Sequence, residues 1–484
     1  MYAFPKPLKE EIYNHKFLFS KKVYLHISKK FAAEAFEKLY GELWNNFTAG
    51  LSILEFVIDE TCHQTAVLSP NAHCSAGNVD IGEYEYKICC NPCSVCLHFK
   101  DKTGLAHAMA TLLQMISIND ISKEEFFVPC CDISDKPEIN FRGIHICIFP
   151  ESSLEFIKKT VRLCGLMKYS HIILEFWGTL KYDCLDSLGW KELAYDKKQI
   201  APLIDEGKAM GMEFIPMFNH LGHASQSRSI SGKHTVLDQN PKLEPLFEPD
   251  GWTWCLSNPD TLKLLRNIRG ELMDLFGKGS YFHLGCDEAY TFATCSVCSK
   301  KDKGKLLADY INGLAAELLA EGRKPIIWAD MTLGYQRFPL PYITTPDAGF
   351  DPQKFLKSLD DNIILDDWQY DVEKGEYLTG KYLVENHSAQ NIIVSPWWKK
   401  EPIEYLCRKV KEMHLGGVLE TTWHTLAKDC VPVMITAIHC WQNTFADYDK
   451  WEFYSCHLAK LLRKLKPSNG IYEDSGFMPG QLDI

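Results

Sequence analysis

YFHLGCDEAY, residues 281–290, joins a short apolar run (Tyr281, Phe282, Leu284) to two consecutive carboxylates, Asp287 and Glu288, and then to a second tyrosine, Tyr290. The run has the length and bulk of a buried strand, and ending such a strand on adjacent acids is unusual. Two carboxylates at one strand tip repel each other and lose hydration, so one should titrate high as a proton donor while the other stays ionised. The plainer alternative is that the pair caps the next helix. The dipeptide leaves both readings open, and the flanking chain has to decide.

Working outward, seven more apolar runs share this texture. They are RGIHICIF (Arg142–Phe149), HIILEFW (His171–Trp177), EFIPMFN (Glu213–Asn219), KPIIWAD (Lys324–Asp330), NIILDDW (Asn362–Trp368), NIIVSPWW (Asn391–Trp398) and GGVLETTW (Gly416–Trp423). Between them lie stretches with helical spacing, at Ser153–Met167, Lys197–Met210, Asp260–Phe276, Lys305–Glu321 and Ile403–His414. Near-continuous apolar strands alternating with helices predict a parallel sheet buried on both faces, and eight units over about 300 residues predict a closed (β/α)8 TIM barrel.

Ahead of the barrel, residues 1–135 read as a small α/β domain. Lys21–Ser28, Leu51–Asp59 and Gly82–Cys90 have strand character, Phe31–Phe47 has helical spacing, and Thr103–Ser117 is expected to be an amphipathic helix on that sheet. Pro129 to Pro137, enclosing Asp132, Ser134 and Asp135, carries linker signals. The expected division is a non-catalytic domain at 1–135, a barrel at 136–450, and a C-terminal helix and tail at 451–484. Val431–Phe445 reads as the last barrel helix. The basic amphipathic segment His457–Lys466 suits a membrane or a partner, or more simply a solvated helix closing the barrel; 467–484 reads as a loose end.

Composition narrows the function. The 484 residues carry a net charge of −11, which argues against nucleic acid as a partner. No apolar run reaches the roughly 18 residues of a membrane span, and the first residues lack a signal-like apolar core, so a cytoplasmic protein is expected. Nineteen cysteines, an odd number, read as reduced thiols. CSVC occurs twice, at Cys93/Cys96 and Cys295/Cys298. Four such thiols could bind zinc, but their wide separation favours thiol-rich usage, so no metal is expected.

Barrel active sites lie at the C-terminal ends of the strands. Here those tips offer Asn219, His220 and His223, then Asp287 and Glu288, then Trp328 and Asp330, then Asp366, Asp367, Trp368 and Tyr370, and finally Trp397, Trp398 and Trp423. A single tryptophan is most simply core. Tryptophan at four successive tips instead suggests an aromatic-walled pocket with an acidic floor, which suits a sugar's C–H faces and hydroxyls.

At this point the chain resembles a known family. HLGCDE (His283–Glu288) is similar to the HxGGDE signature of glycoside hydrolase family 20, the β-N-acetylhexosaminidases. Cys286, Cys295 and Cys298 resemble the hexosaminidase D-like branch. Arg142–Gly143, His223 in GHA, Leu256–Gly277, Trp328, Ser395–Trp398, Trp423 and the Thr103–Ile116 helix extend the resemblance over most of residues 1–425. It implies an exo-acting, retaining, substrate-assisted hydrolase that needs no cofactor. By this resemblance Glu288 is the general acid and then base, and Asp287 orients the substrate acetamido group. Trp328, Trp368 and Trp423 wall the terminal sugar, with Asp330 also in the binding set, and His223 and His283 act as supports. The implied partner is a small glycan or glycoconjugate ending in an N-acetylhexosamine; self-association is left open.

The pattern is not complete. Where the family carries an arginine that clamps the sugar's outer hydroxyls, this chain has Pro150, followed by Glu151 as a candidate hydroxyl reader. Asn219 replaces the usual aspartate, and Trp398 replaces the tyrosine that polarises the acetamide, a role Tyr370 could also fill. Loss of the clamp leans the reading towards N-acetylgalactosamine over N-acetylglucosamine. Two alternatives stand beside it. One is a barrel glycosidase with its own nucleophile, Asp330 or Asp367, and the other is a silent carbohydrate-binding barrel.

Overall fold

The computed structural model describes residues 3–71, 81–82, 85–118, 125–150, 152–225, 236–345, 348–423, 426, 430–441 and 451–465. The N-terminal sheet contains β1 (Lys9–Phe19), β2 (Lys22–Ile27), β3 (Ile53–Ile58), β4 (Thr65–Ser69), β5 (Tyr86–Cys90), β6 (Val95–Phe99), β7 (Ser117–Ile118) and β8 (Phe126–Asp135). Its order is β1-β8-β5-β6-β4-β2-β3, with β7 on β8. The helix Glu34–Phe47 crosses between the parallel strands β2 and β3, burying Phe36, Leu39, Tyr40, Leu43, Trp44 and Phe47 at helical spacing.

Two expectations change here. The stretch read as a linker, Pro129–Pro137, is largely the interior strand β8, paired with β1 on one side and β5 on the other. Its prolyl and acidic residues are tolerated because Pro129 lies next to a register shift in β1, and the polar groups find partners: Tyr13 Oη donates to Asp132. The helix Lys102–Met115 is buried from Gly104 to Met115 and not amphipathic, because the barrel covers the face the sheet leaves free; Gln114 Nε2 donates to Leu166 O.

The second sheet is a closed parallel barrel of β9 (Phe141–Ile148), β10 (His171–Phe176), β11 (Glu213–Met217), β12 (Tyr281–His283), β13 (Lys324–Trp328), β14 (Ile364–Trp368), β15 (Ile392–Ser395) and β16 (Gly417–Thr421), with β16 pairing back onto β9. All eight expected strands are present. Phe141, Ile173, Ile215, Met217, Ile326, Ile364, Ile393 and Leu419 fill its interior below Trp328. Among the described residues no helix is long and apolar enough to cross a membrane.

Two buried ion clusters lock the sheet domain to the barrel. Lys168, fully buried, binds Asp135 at 2.8 Å and Tyr86 Oη at 2.7 Å, while Trp441 Nε1 donates to the other Asp135 oxygen at 2.8 Å. Arg162, also buried, reaches Glu42 of the sheet domain at 2.8 Å, Glu206 of the barrel, and Leu465 O beyond the C-terminal helix Trp451–Lys464. That helix is wedged between the two domains, not laid on a solvated face: Leu458 and Leu461, and Leu465 just beyond it, are buried, and the His457 ring packs at a tilt on Phe4. Removing one partner of a buried pair strands the other charge. Asp135→Ala is therefore expected to lower unfolding stability by about 3–5 kcal/mol, measured by chemical denaturation, whereas Asp309→Ala, in an exposed pair with Lys305, should cost under about 1 kcal/mol.

Candidate active site

β12 stops at His283, earlier than its apolar run suggests, because the chain then turns left-handed at Gly285 (φ 68°), Cys286 (φ 71°) and Glu288 (φ 47°) and cannot continue a ladder. Leu284 N still donates to Ile326 O, and Trp328 N to Gly285 O, so the irregular tip is clamped from β13. Non-glycine residues held at positive φ carry strain that the surrounding contacts must maintain. Gly285 has to be glycine on a second count, since a Cβ there would stand 2.6 Å from Asn219 Cγ. Gly222 is equally constrained, its missing Cβ falling 2.3 Å from Asp287 O. This close approach lets His223 (φ 55°) place Nε2 3.2 Å from Asp287 and 3.1 Å from Glu288.

The two acids are held differently. Asp287 is 4% exposed and accepts a hydrogen bond from Asn219 Nδ2. Asn219 Oδ1 is itself occupied by the N–H groups of Cys286 (3.0 Å) and Leu221 (3.2 Å), so its amide nitrogen must face the carboxylate. An aspartate at 219 would set a second anion against Asp287; asparagine supplies a donor instead. Glu288 has a more open side chain, 30% exposed, and its carboxylate meets His223 and the Tyr290 hydroxyl. Its backbone is fixed on both sides, with N donating to Asp330 Oδ2 at 2.9 Å and O accepting from Trp252 Nε1 at 2.6 Å.

Asp330 is one of three carboxyls at this rim, with Asp366 and Asp367, that burial drives high. Burial first, and then the charge of Asp287, push its pKa up to about 7, against the opposing hydrogen bonds from Thr345 and the Glu288 N–H. Asp366 also faces the barrel interior, accepting from Ser395 Oγ and lying 3.5 Å from His283 Nε2. Asp367, one residue on, points to the outer layer and takes Gln369 and Tyr377. His220 is a packing residue: burial and then Arg269 lower its pKa to about 3, and Nδ1 bonds Phe218 O.

The expected aromatic wall forms a connected series. Trp328 is buried against His283 (centroids 4.5 Å) and Trp423 (5.7 Å), and Trp423 Nε1 donates to Tyr370 Oη at 2.7 Å. Tyr370 in turn packs on Trp368 and Trp397, each at 5.2 Å. Trp398 packs on Trp397 and under Lys399, so Tyr370 is the phenol tied into the Trp423 wall. Glu151 lies outside the described residues. Missed by sequence reasoning were Trp252, packed at a tilt on His223 (4.4 Å) and stacked on Tyr290 (6.0 Å), and the buried His145–Glu175–Cys147 cluster beneath Trp423. Trp252 sits in a loop remote from any strand tip, and nothing local marks it.

Residues 179–396 match the model of the glycosyl hydrolase family 20 catalytic domain. The barrel is thus similar to that catalytic domain from the loop after β10 to the tip of β15. The chain is 25% identical over 205 residues to a chitooligosaccharidolytic β-N-acetylglucosaminidase of Ostrinia furnacalis, covering 38% of this chain and 33% of that protein. It is 23% identical over 232 residues to a probable β-hexosaminidase (fdl) of Drosophila melanogaster, covering 44% and 35%. The chain thus spans about a third of the length of these insect relatives. Two solved structures share the fold. One is a Bacteroides fragilis β-N-acetylhexosaminidase (TM-score 0.67, 18% identity, 98% of this chain and 99% of that one). The other is a Vibrio harveyi exo-β-N-acetylglucosaminidase of family 20 (TM-score 0.68, 14%, 95% and 76%).

The barrel should carry the pH signature of Asp330. With its folded pKa raised from 3.8 to about 7, the folded state holds a proton that the unfolded chain has released between those values. This contribution is complete below about pH 4 and is lost as pH rises to about 7. Asp330→Asn keeps the shape and removes the titration, so the variant's unfolding free energy, relative to wild type, should rise over that window. Parallel stability curves for the two proteins would refute the assignment.

Proposed function

We propose that this chain is an exo-acting, retaining β-N-acetylhexosaminidase that releases a terminal β-linked N-acetylhexosamine from small glycans or glycoconjugates by substrate-assisted catalysis. In this reading the barrel, 136–450, carries the chemistry, with 1–135 and 451–484 as non-catalytic support. The observation that supports it best is the unequal setting of the two acids: Asp287 pinned and buried, Glu288 half-open.

Glu288 gives its proton to the glycosidic oxygen as the C1–O bond breaks, and the substrate's acetamido oxygen closes onto C1. Asp287, immobilised by Asn219 and His223, accepts the acetamido N–H and stabilises the positive charge that develops on the ring it helps to form. Glu288, now a carboxylate, takes a proton from water as the water adds to C1, which reopens the acetamide and restores the acid. Trp328, Trp368 and Trp423 wall the sugar, and Tyr370, oriented by Trp423, replaces Trp398 as the donor to the acetamide oxygen.

An enzyme nucleophile fits less well. Asp330 is 1% exposed, engaged by the Glu288 N–H and Thr345, and held towards its neutral form, while Asp367 faces the outer layer. A silent binding barrel leaves the strained placement of Glu288 without a purpose. The finer assignments are a hexosaminidase D-like, cytoplasmic enzyme favouring N-acetylgalactosamine, supported by Pro150 in place of the hydroxyl-clamping arginine.

On β-linked N-acetylhexosaminide aryl glycosides, Glu288→Gln is expected to lose roughly 10²–10⁴-fold in kcat, and Asp287→Ala to lose activity with it. Near wild-type turnover in Asp287→Ala would sink the substrate-assisted mechanism. The galacto substrate should be cleaved faster than the gluco substrate; the reverse order would overturn the sugar preference alone.

A further inference from the structure

Away from the carboxylates, the fold gathers three thiols and a carboxylate that the proposed reaction does not use. Cys255 Sγ lies 3.7 Å from Cys295 Sγ and 3.9 Å from Cys298 Sγ, and one ligand atom from each of Glu248, Cys255, Cys295 and Cys298 falls within 4.8 Å of all the others. Bonded sulfurs sit about 2.05 Å apart, so these are separate thiols. Zinc–sulfur bonds of about 2.3 Å place tetrahedral thiolates about 3.8 Å apart, which is the spacing found here.

Glu248 is a second, independent indication. It is 1% exposed, and its Oε2 is held by the N–H groups of Thr294 (2.8 Å) and Cys295 (2.6 Å) and by the Thr294 hydroxyl. Its Oε1 is buried with no hydrogen-bond partner. A buried carboxylate oxygen left unpaired is costly, and a cation is the natural remedy. Polar groups already face the sulfurs: Cys298 N donates to Cys295 Sγ, and Ser257 Oγ lies 3.0 Å from Cys298 Sγ and 2.9 Å from Lys301 Nζ. Cys255 and Cys295 also line a surface cleft with Phe247, Pro249 and Val297, giving an ion a way in.

We propose that Glu248, Cys255, Cys295 and Cys298 form a structural zinc site stapling the loop that carries Trp252 to the loop that follows Asp287 and Glu288. Four protein ligands fill the tetrahedron, which marks the site as structural. On binding, the three thiols release their protons to solvent. The sequence expectation of no metal is revised, and the second CSVC pair finds its partners in Cys255 and Glu248, not in Cys93 and Cys96. The staple bears on the acids because Trp252 holds the Glu288 carbonyl and packs against His223.

The test is independent of hydrolytic activity. The full chain purified under reducing conditions should contain about one zinc per chain by elemental mass spectrometry. Cys255→Ser and Cys298→Ser should reduce this to background, while Cys93→Ser, at the exposed thiol of the other CSVC, should not. Wild-type protein stripped with a chelator should bind about one equivalent of cobalt(II) with a thiolate charge-transfer band and tetrahedral d–d absorption, a readout unaffected by misfolding of any variant. Wild type lacking both metal and the cobalt spectrum would overturn the proposal. So would metal retained in the Cys255 and Cys298 variants, or a Cys295–Cys298 disulfide found in the protein as isolated.

Discussion

The site depends on holding a carboxylate where water hardly reaches it. Asp287 is held there by the Asn219 amide, whose orientation is dictated by two backbone N–H groups on its oxygen, and by the imidazole of His223. Each partner requires the loop after β11 to lie directly on the backbone after β12. Gly222 and Gly285 permit that approach, and the left-handed turns at His223, Cys286 and Glu288 follow from it. Strain and burial here are two sides of one demand, that opposite loops converge on adjacent acids with no space for water between them.

Neighbouring groups follow from that demand. Asp330 supports the Glu288 backbone but is buried and feels the Asp287 charge, so it leans towards its neutral form. The aromatic series from Trp328 through Trp423 and Tyr370 to Trp368 and Trp397 closes the other side. The sheet domain, remote from the acids, is locked to the barrel by buried charges on Lys168 and Arg162. Such pairs contribute definition of position more than stability, because desolvation offsets much of their attraction.

The eight barrel strands were legible because buried parallel strands are apolar throughout and need no partner to be recognised. Their tips were legible in turn, since the fold places function at one rim. The strand β8 was not, because prolines and acids there are satisfied only by β1, β5, Lys168 and Trp441. The all-round burial of Lys102–Met115 is likewise hidden, as its outer face is covered by elements far along the chain.

Sequence alone determined the architecture and brought the two acids into one motif, because apolar periodicity and adjacency in the chain are local properties. Only tertiary structure decided how each acid is held and what stands around it. Asn219, His223, Trp252 and Asp330 reach Asp287 and Glu288 across 36 to 68 residues, and Cys255 meets Cys295 across 40. Hydrogen bonds and metal geometry act through ångströms of space, and a linear pattern does not record which distant loops the closure of a barrel brings together.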